Sequence, residues 1–136
     1  MTKTIITIPG SPIPLKRPRF SHRRTYNSQA SLKETIFHIV LTQTDNANPP
    51  TGPIDLKITF FMKIPRSYSK IKKLTTPGQC HTKRPDIDNL IKFYLDACNG
   101  TIYRDDAQVH TITATKKYDT NPRTIIEVTY GETNGN

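Results

Sequence analysis

The sequence predicts an α+β fold in one compact domain. Three observations carry this: β-branched runs near both ends and in the middle of the chain, two helical patterns between them, and a length of 136 residues, the size of a single core. "TKTIITIPG", from residue 2, predicts a first strand stopped by Pro9 and Gly10. Residues 11–27, "SPIPLKRPRFSHRRTYN", are too broken by proline for a helix and too irregular for a strand, and read as a basic loop. A helix starts at Ser28 or Ser31: Ser31 and Glu34 have capping-box spacing, and Leu32, Ile36, Ile39 and Val40 share a face. "TDNANPPTGP" ends it and hands over to "IDLKITFFMKI", where Ile54, Leu56, Ile58, Phe60 and Met62 alternate with polar residues as in a half-buried strand. Residues 65–84 form a second basic loop with one helical turn after Ser69. "DNLIKFYLDACNG" predicts the second main helix, capped by Asp88, packed through Leu90, Ile91, Tyr94, Leu95 and Cys98, and stopped by Asn99-Gly100. "QVHTITATKKY" and "RTIIEVTY", joined by "DTNP", predict a C-terminal hairpin.

Twenty Lys and Arg against 11 Asp and Glu give a net charge of +9, which favours phosphate-rich partners, nucleic acid first. A hydrophobic fraction of 34% with 11 prolines is lean for a lone core, and a homodimer would supply the missing burial. Cys80 and Cys98 lack metal or disulfide spacing and read as reduced thiols. The opening residues lack the apolar run of a signal peptide, and no segment approaches the ~20 apolar residues of a membrane span. The expectation is a cytoplasmic protein that does not contact membrane.

Against this basic background Asp86, Asp88, Asp96, Asp105 and Asp106 crowd into 21 positions, 86–106. Asp88, Lys92 and Asp96 recur at four-residue spacing on one helical face, and Asp86 precedes the helix in extended chain after Pro85. If the strand from Gln108 lies beside the helix start, either Asp105 or Asp106 meets Asp86 and Asp88. Clustered carboxylates repel one another at neutral pH, and hard oxygen ligands without His or Cys suit Mg2+, with Mn2+ as substitute. A divalent ion ringed by Lys and Arg is the equipment of phosphodiester hydrolysis. Taken singly the residues have plainer roles: Asp88 as an N-cap worth about 1 kcal/mol, Asp96 as a partner for Lys92, Asp105-Asp106 as turn chemistry. An EF-hand fails at "NLIKF" after Asp88, a sugar-nucleotide transferase lacks room for a nucleotide domain, and the four histidines are scattered.

"HTKRPDIDNLIKFYLDACNGTIYRDDAQV", residues 81–109, closely resembles the central motif of the RusA family of Holliday junction resolvases, small phage- and prophage-associated endonucleases. The shared P-D-x-D-N-L-x-K, L-D-A-x-N-G and D-D-x-Q-V elements are long and specific; a weaker likeness covers "IPGSPIPLKRPRF" to "RTYN". The resemblance implies a mixed sheet, a homodimer, Mg2+ dependence and paired cuts in four-way double-stranded DNA junctions, with residues 85–109 as catalytic core of a single domain spanning 1–136. It implies that Asp86, Asp88 and Asp106 are the essential, metal-holding carboxylates and that Lys92 is the lysine important for activity. "LTTPGQC" departs from the more helical, charge-rich stretch of relatives, so the DNA-contacting loop here differs.

Lys16, Arg17, Arg19, Arg23, Arg24, Lys83 and Arg84 are the expected backbone-phosphate contacts, which give salt-sensitive affinity and little sequence information. Two alternatives stand beside junction resolution: a basic DNA-binding protein without catalysis, and a metal-dependent nuclease acting on flap or fork DNA.

Overall fold

The computed structural model describes residues 1–16, 19–21, 24–26, 29–44 and 48–131, with backbone alone described at 19–21 and 24–26. In chain order the elements are β1 (Thr2–Pro9), β2 (Arg19–Ser21), β3 (Arg24–Tyr26), α1 (Ala30–Gln43), β4 (Ile54–Lys63), α2 (Lys70–Thr75), α3 (Ile87–Ala97), a 3-10 turn (Asp106–Gln108), β5 (Val109–Asp119) and β6 (Arg123–Tyr130). The main sheet has the order β1-β6-β4-β5, antiparallel except for the parallel β4–β5 pair, so it is mixed and the fold is α+β.

The alternation along β4 decides which face is dry. Ile54, Leu56, Ile58, Phe60 and Met62 are buried and share their face with Ile6 and Ile8 of β1 and Ile126 and Val128 of β6. Helix α1 closes this face with Ile36 and Val40, and α3 with Leu90, Phe93, Tyr94 and Ala97, giving two layers around one core. The tyrosine hydroxyls inside it are satisfied: that of Tyr94 accepts from the Ile13 amide at 3.0 Å, and that of Tyr103 donates to the Leu95 carbonyl at 2.7 Å. Cys98 lies in the same core, and burial pushes its thiol up to about 12, so at neutral pH it is an inert packing group. The edge of β1 is partly closed by the Gln43 side-chain amide, which pairs with both backbone groups of Thr7 at 2.9 and 2.7 Å, as a neighbouring strand would.

Several expectations are corrected. β5 and β6 do not form a hairpin: they flank β4 on opposite sides, with Asp119 beside Lys63 and Arg123 beside Phe61. β5 and β6, one on each side of β4, are about 9.6 Å apart, a gap that four residue steps span. The crossing is clamped by the Asp119–Arg123 ion pair and by the Arg123 guanidinium, 3.9 Å above the Phe61 ring. The basic loop contains an antiparallel pair, β2–β3, with Arg19 opposite Tyr26 and Ser21 opposite Arg24. Helix α1 begins at Ala30 after Gln29 without a side-chain cap, so Ser31 and Glu34 form no capping box; Leu32 is exposed. Phe93 joins the α3 packing face, while Ile91 and Leu95 are only half-buried. No helix among the described residues is long and apolar enough to cross a membrane.

Candidate active site

Helix α3 starts two residues earlier than its sequence signals indicate. Its N-cap is Asp86, in extended conformation after the cis Arg84–Pro85 bond, and Asp88 lies inside the first turn rather than capping it. Asp86 makes no side-chain capping bond and no ion pair among the described residues, and the Asp88 Oδ1 accepts only from the adjacent Asn89 amide at 2.9 Å. Both are exposed. The helix dipole stabilises negative charge in this turn, yet most of the carboxylate oxygen is left free to bind something else. Lys92, one turn on from Asp88, is exposed and also lacks an ion-pair or hydrogen-bond partner among the described residues. Asp96 pairs instead with Lys33 of α1, at 3.5 Å.

A lysine outside the sequence-predicted set positions this turn. Lys116 Nζ, from β5, donates to the carbonyls of Lys83 and Pro85, each at 2.7 Å, and so fastens the chain on either side of Arg84 to the sheet. Next to it the His81 amide donates to the Lys116 carbonyl at 3.0 Å, and the His81 ring lies 4.7 Å from that of Tyr118. Partial burial, then the charges of Lys116 and Lys83, lower the pKa of His81. In the sequence Lys116 is only one residue of the β-rich run "QVHTITATKKY"; its two carbonyl partners come to it through tertiary structure.

Asp106 lies at the other end of α3. Asn99-Gly100 ends the helix, with Gly100 at φ +85°, where a side chain is strained, and the turn closes through the Gly100 amide donating to Tyr103 O at 2.9 Å. The Asn99 Oδ1 then accepts from the Asp106 amide at 2.8 Å. Asp105 caps the 3-10 turn in a reciprocal arrangement with Gln108, whose Oε1 accepts from the Asp105 amide at 2.9 Å and whose Nε2 bonds Pro50 O and Gly52 O. The pair therefore divides its labour: Asp105 builds the turn, and the half-buried Asp106 carboxylate is not needed for it. Burial, then the neighbouring Asp105, then Asp96, raise the Asp106 carboxyl above its ordinary range.

Two measures fix the separation of the carboxylates. Eleven residues of α3 extend about 16 Å at ~1.5 Å per residue. β5 runs back along the helix, from Val109 beside the Asp106 turn to Lys116 beside Pro85, roughly 23 Å at ~3.3 Å per residue. Asp86 and Asp88 thus stand together, while Asp106 stands with Asp96 and Asp105 at the far end. Among the described residues no group of three or more His, Cys, Asp or Glu is placed to hold a metal ion. Hard carboxylate oxygen in the first turn of α3 suits Mg2+, but Asp86 and Asp88 by themselves are only part of a ligand set.

Of the expected phosphate contacts, Lys16, Lys83 and Arg84 are exposed, Lys83 with its Nζ 3.4 Å from the Tyr68 hydroxyl. Arg19 and Arg24 are placed by backbone only, in β2 and β3, and Arg17 and Arg23 lie outside the described residues.

The raised Asp106 carboxyl makes a prediction. A group whose folded pKa is raised contributes stability below its unfolded value and loses it as pH rises through the folded one, so ionised Asp106 weakens the fold at neutral pH. Asp106→Asn keeps the backbone bond to Asn99 and is expected to raise the thermal midpoint at pH 7.5, with the gain fading as pH falls through the raised folded pKa and gone below the ordinary aspartate value of about 4. Differential scanning fluorimetry across pH checks both parts; a lower midpoint at pH 7.5 would contradict the assignment of the charge as unfavourable.

The profile of the family described as "Endodeoxyribonuclease RusA" matches residues 9–129. The uncharacterized protein YqaN of Bacillus subtilis (strain 168) is 30% identical over 132 residues, covering 90% of this chain and 92% of the relative. The match takes in both basic segments, the whole of α3 and the Asp105-Asp106 turn, and the chain belongs to the RusA family of endodeoxyribonucleases, the RusA-like Holliday junction resolvases.

Proposed function

We propose that the protein is a homodimeric, Mg2+-dependent endonuclease that resolves four-way DNA junctions by paired symmetric nicks, in recombination and repair. One observation carries the reading: in a chain of net charge +9, Asp86 and Asp88 stand exposed and, among the described residues, without cationic partners, on a turn fixed by Lys116. Carboxylates so placed have a use that folding does not supply.

The separation of Asp106 from that pair argues for the dimer. A two-fold arrangement that sets α3 of one protomer against the other end of α3 in its partner brings Asp106 to the Asp86–Asp88 pair and completes two equivalent ligand sets at once. Two sites about a dyad also match the approximate two-fold symmetry of a four-way junction. The bound ion, Mg2+ or Mn2+, supplies Lewis-acid polarisation of the phosphoryl oxygen and a more acidic water. Attack in line on phosphorus forms the new P–O bond and breaks the bond to the 3′ oxygen, leaving a 5′-phosphate and a 3′-hydroxyl. The free Lys92 amine, one turn along the face of Asp88, stabilises charge that develops on the phosphoryl oxygens. Lys16, Arg17, Arg19, Arg23, Arg24, Lys83 and Arg84 hold the flanking backbone, so recognition rests on branch shape.

The test compares a synthetic four-way junction with a Y-structure of the same arms. Symmetric paired nicks on the junction in Mg2+, absent in EDTA, are expected; faster cutting of the Y-structure would make fork DNA the working substrate, and junction binding without cutting would leave a binding protein. Lys116 acts here as a positioning residue. Lys116→Met removes its bonds to the Lys83 and Pro85 carbonyls and is expected to lower kcat about 10- to 100-fold, the range for lost support behind a ligand, with junction affinity within about threefold of wild type. Equal losses in binding and turnover would assign Lys116 to DNA contact instead.

A further inference from the structure

The segment between β4 and α3 carries a feature that neither catalysis nor folding uses. Helix α2 has no buried side chain, and Ile71 and Leu74, three residues apart on one face, are 75% and 81% exposed. Single exposed apolar residues are ordinary, but two neighbouring ones on a projecting turn form a tip. Every charged residue of its own segment is cationic: Lys63, Arg66, Lys70, Lys72, Lys73, Lys83 and Arg84 lie in residues 63–84, which contain no Asp or Glu. A surface cavity of about 260 Å³ beside the helix is lined by Lys63, Arg66 and Lys73 and by Asp119, whose charge is paired with Arg123.

The tip has a firm mount. The Ser69 hydroxyl caps α2 by accepting from the Lys72 amide, and the Lys72 amine lies 4.1 Å over the Tyr68 ring. Beyond the helix, Gly78 donates to Tyr118 O at 2.8 Å and Tyr118 donates to Gln79 O at 2.9 Å, which stitches the segment to the outer edge of β5. These bonds fall at residues 116–118, the same end of β5 at which Lys116 holds Pro85. The tip therefore projects from the end of the protomer that presents Asp86 and Asp88.

We propose that Ile71 and Leu74 are an apolar wedge that packs against an opened base step at the branch point, with Lys70, Lys72 and Lys73 on the phosphates to either side. This rests on the junction-resolving reading above and deepens it. An apolar tip among cations fits DNA by charge on its flanks and by base faces at its centre, which only unstacked steps present. Branch points, where stacking is already interrupted, are the cheapest steps to open, so a wedge favours a junction over linear duplex without reading sequence. A single exposed turn with two apolar side chains is too short to lie in a lipid interface.

The experiment uses a four-way junction with 2-aminopurine beside the crossover, titrated in EDTA with the full chain and with the double variant Ile71→Ala/Leu74→Ala. Wild type is expected to raise 2-aminopurine emission on binding. The variant is expected to lose that rise and about tenfold in junction affinity, while its salt dependence, its affinity for linear duplex and its thermal midpoint stay unchanged, since α2 buries nothing. Ile71→Leu/Leu74→Met is expected to restore emission and affinity. A variant that still raises emission and binds as tightly as wild type overturns the wedge while leaving the nuclease reading intact. A variant that turns monomeric in sedimentation overturns it too, by showing that the tip packs between copies. Wild type that fails to bind any branched DNA sinks the functional reading, and the wedge with it.

Discussion

Asp86→Asn and Asp88→Asn, made separately, are each expected to reduce junction nicking in Mg2+ by about 10³-fold or more while leaving junction binding intact. Residues that merely support a metal ligand cost about 10- to 100-fold when lost, so removing ligand charge itself goes beyond that range. Binding should tighten slightly. A carboxylate about 6 Å from a phosphate repels it by roughly 0.7 kcal/mol in a water-like dielectric, about threefold in affinity, and the amide removes that repulsion. The fold tolerates both changes: Asp86 makes no side-chain cap bond, asparagine is an equally good N-cap, and Asp88 bonds only its neighbour's amide. Gel assays of nicking in Mg2+ and of binding in EDTA separate the two effects. Variants that cut at the wild-type rate would remove both residues from the chemistry, and variants that neither cut nor bind would make them DNA contacts.

Much of the fold was legible because local patterns matched tertiary demands. The strict alternation from Ile54 to Met62 specified a strand with one buried face, and the same five residues form the floor of the core. Asn99-Gly100 marked the end of α3 because a positive φ there favours glycine. Partner choice between strands was not legible. "DTNP" between two β-rich runs looks like a hairpin whether the runs pair or straddle a third strand, and the Arg123 contact with Phe61 that settles the matter joins residues 62 apart in sequence.

The candidate site divides along the same line. Residue types and spacing pointed to Asp86 and Asp88, and the family resemblance to Lys92; all three are exposed, the two carboxylates at the start of α3 and the lysine at its middle. The eight residues between Ala97 and Asp106 had length enough to return to the start of the helix. They fold locally instead, because Asn99 takes the Asp106 amide and Tyr103 tucks under Leu95, holding Asp106 at the far end. Lys116 was hidden for the opposite reason: its partners are backbone carbonyls, which no side-chain motif reports.

That separation makes shared active sites the central claim, and mixing inactive protomers tests it. Asp88→Asn and Asp106→Asn chains, each expected to be inactive alone, are co-refolded and assayed on a four-way junction. If each site takes Asp86 and Asp88 from one protomer and Asp106 from its partner, half the dimers are mixed, and each of those holds one intact site beside one doubly altered site. The expected result is about a quarter of wild-type nicking, delivered as single nicks with few paired cuts. A mixture as inactive as its components, although an affinity tag on one chain co-purifies the other, would place all three carboxylates within one protomer and contradict the account.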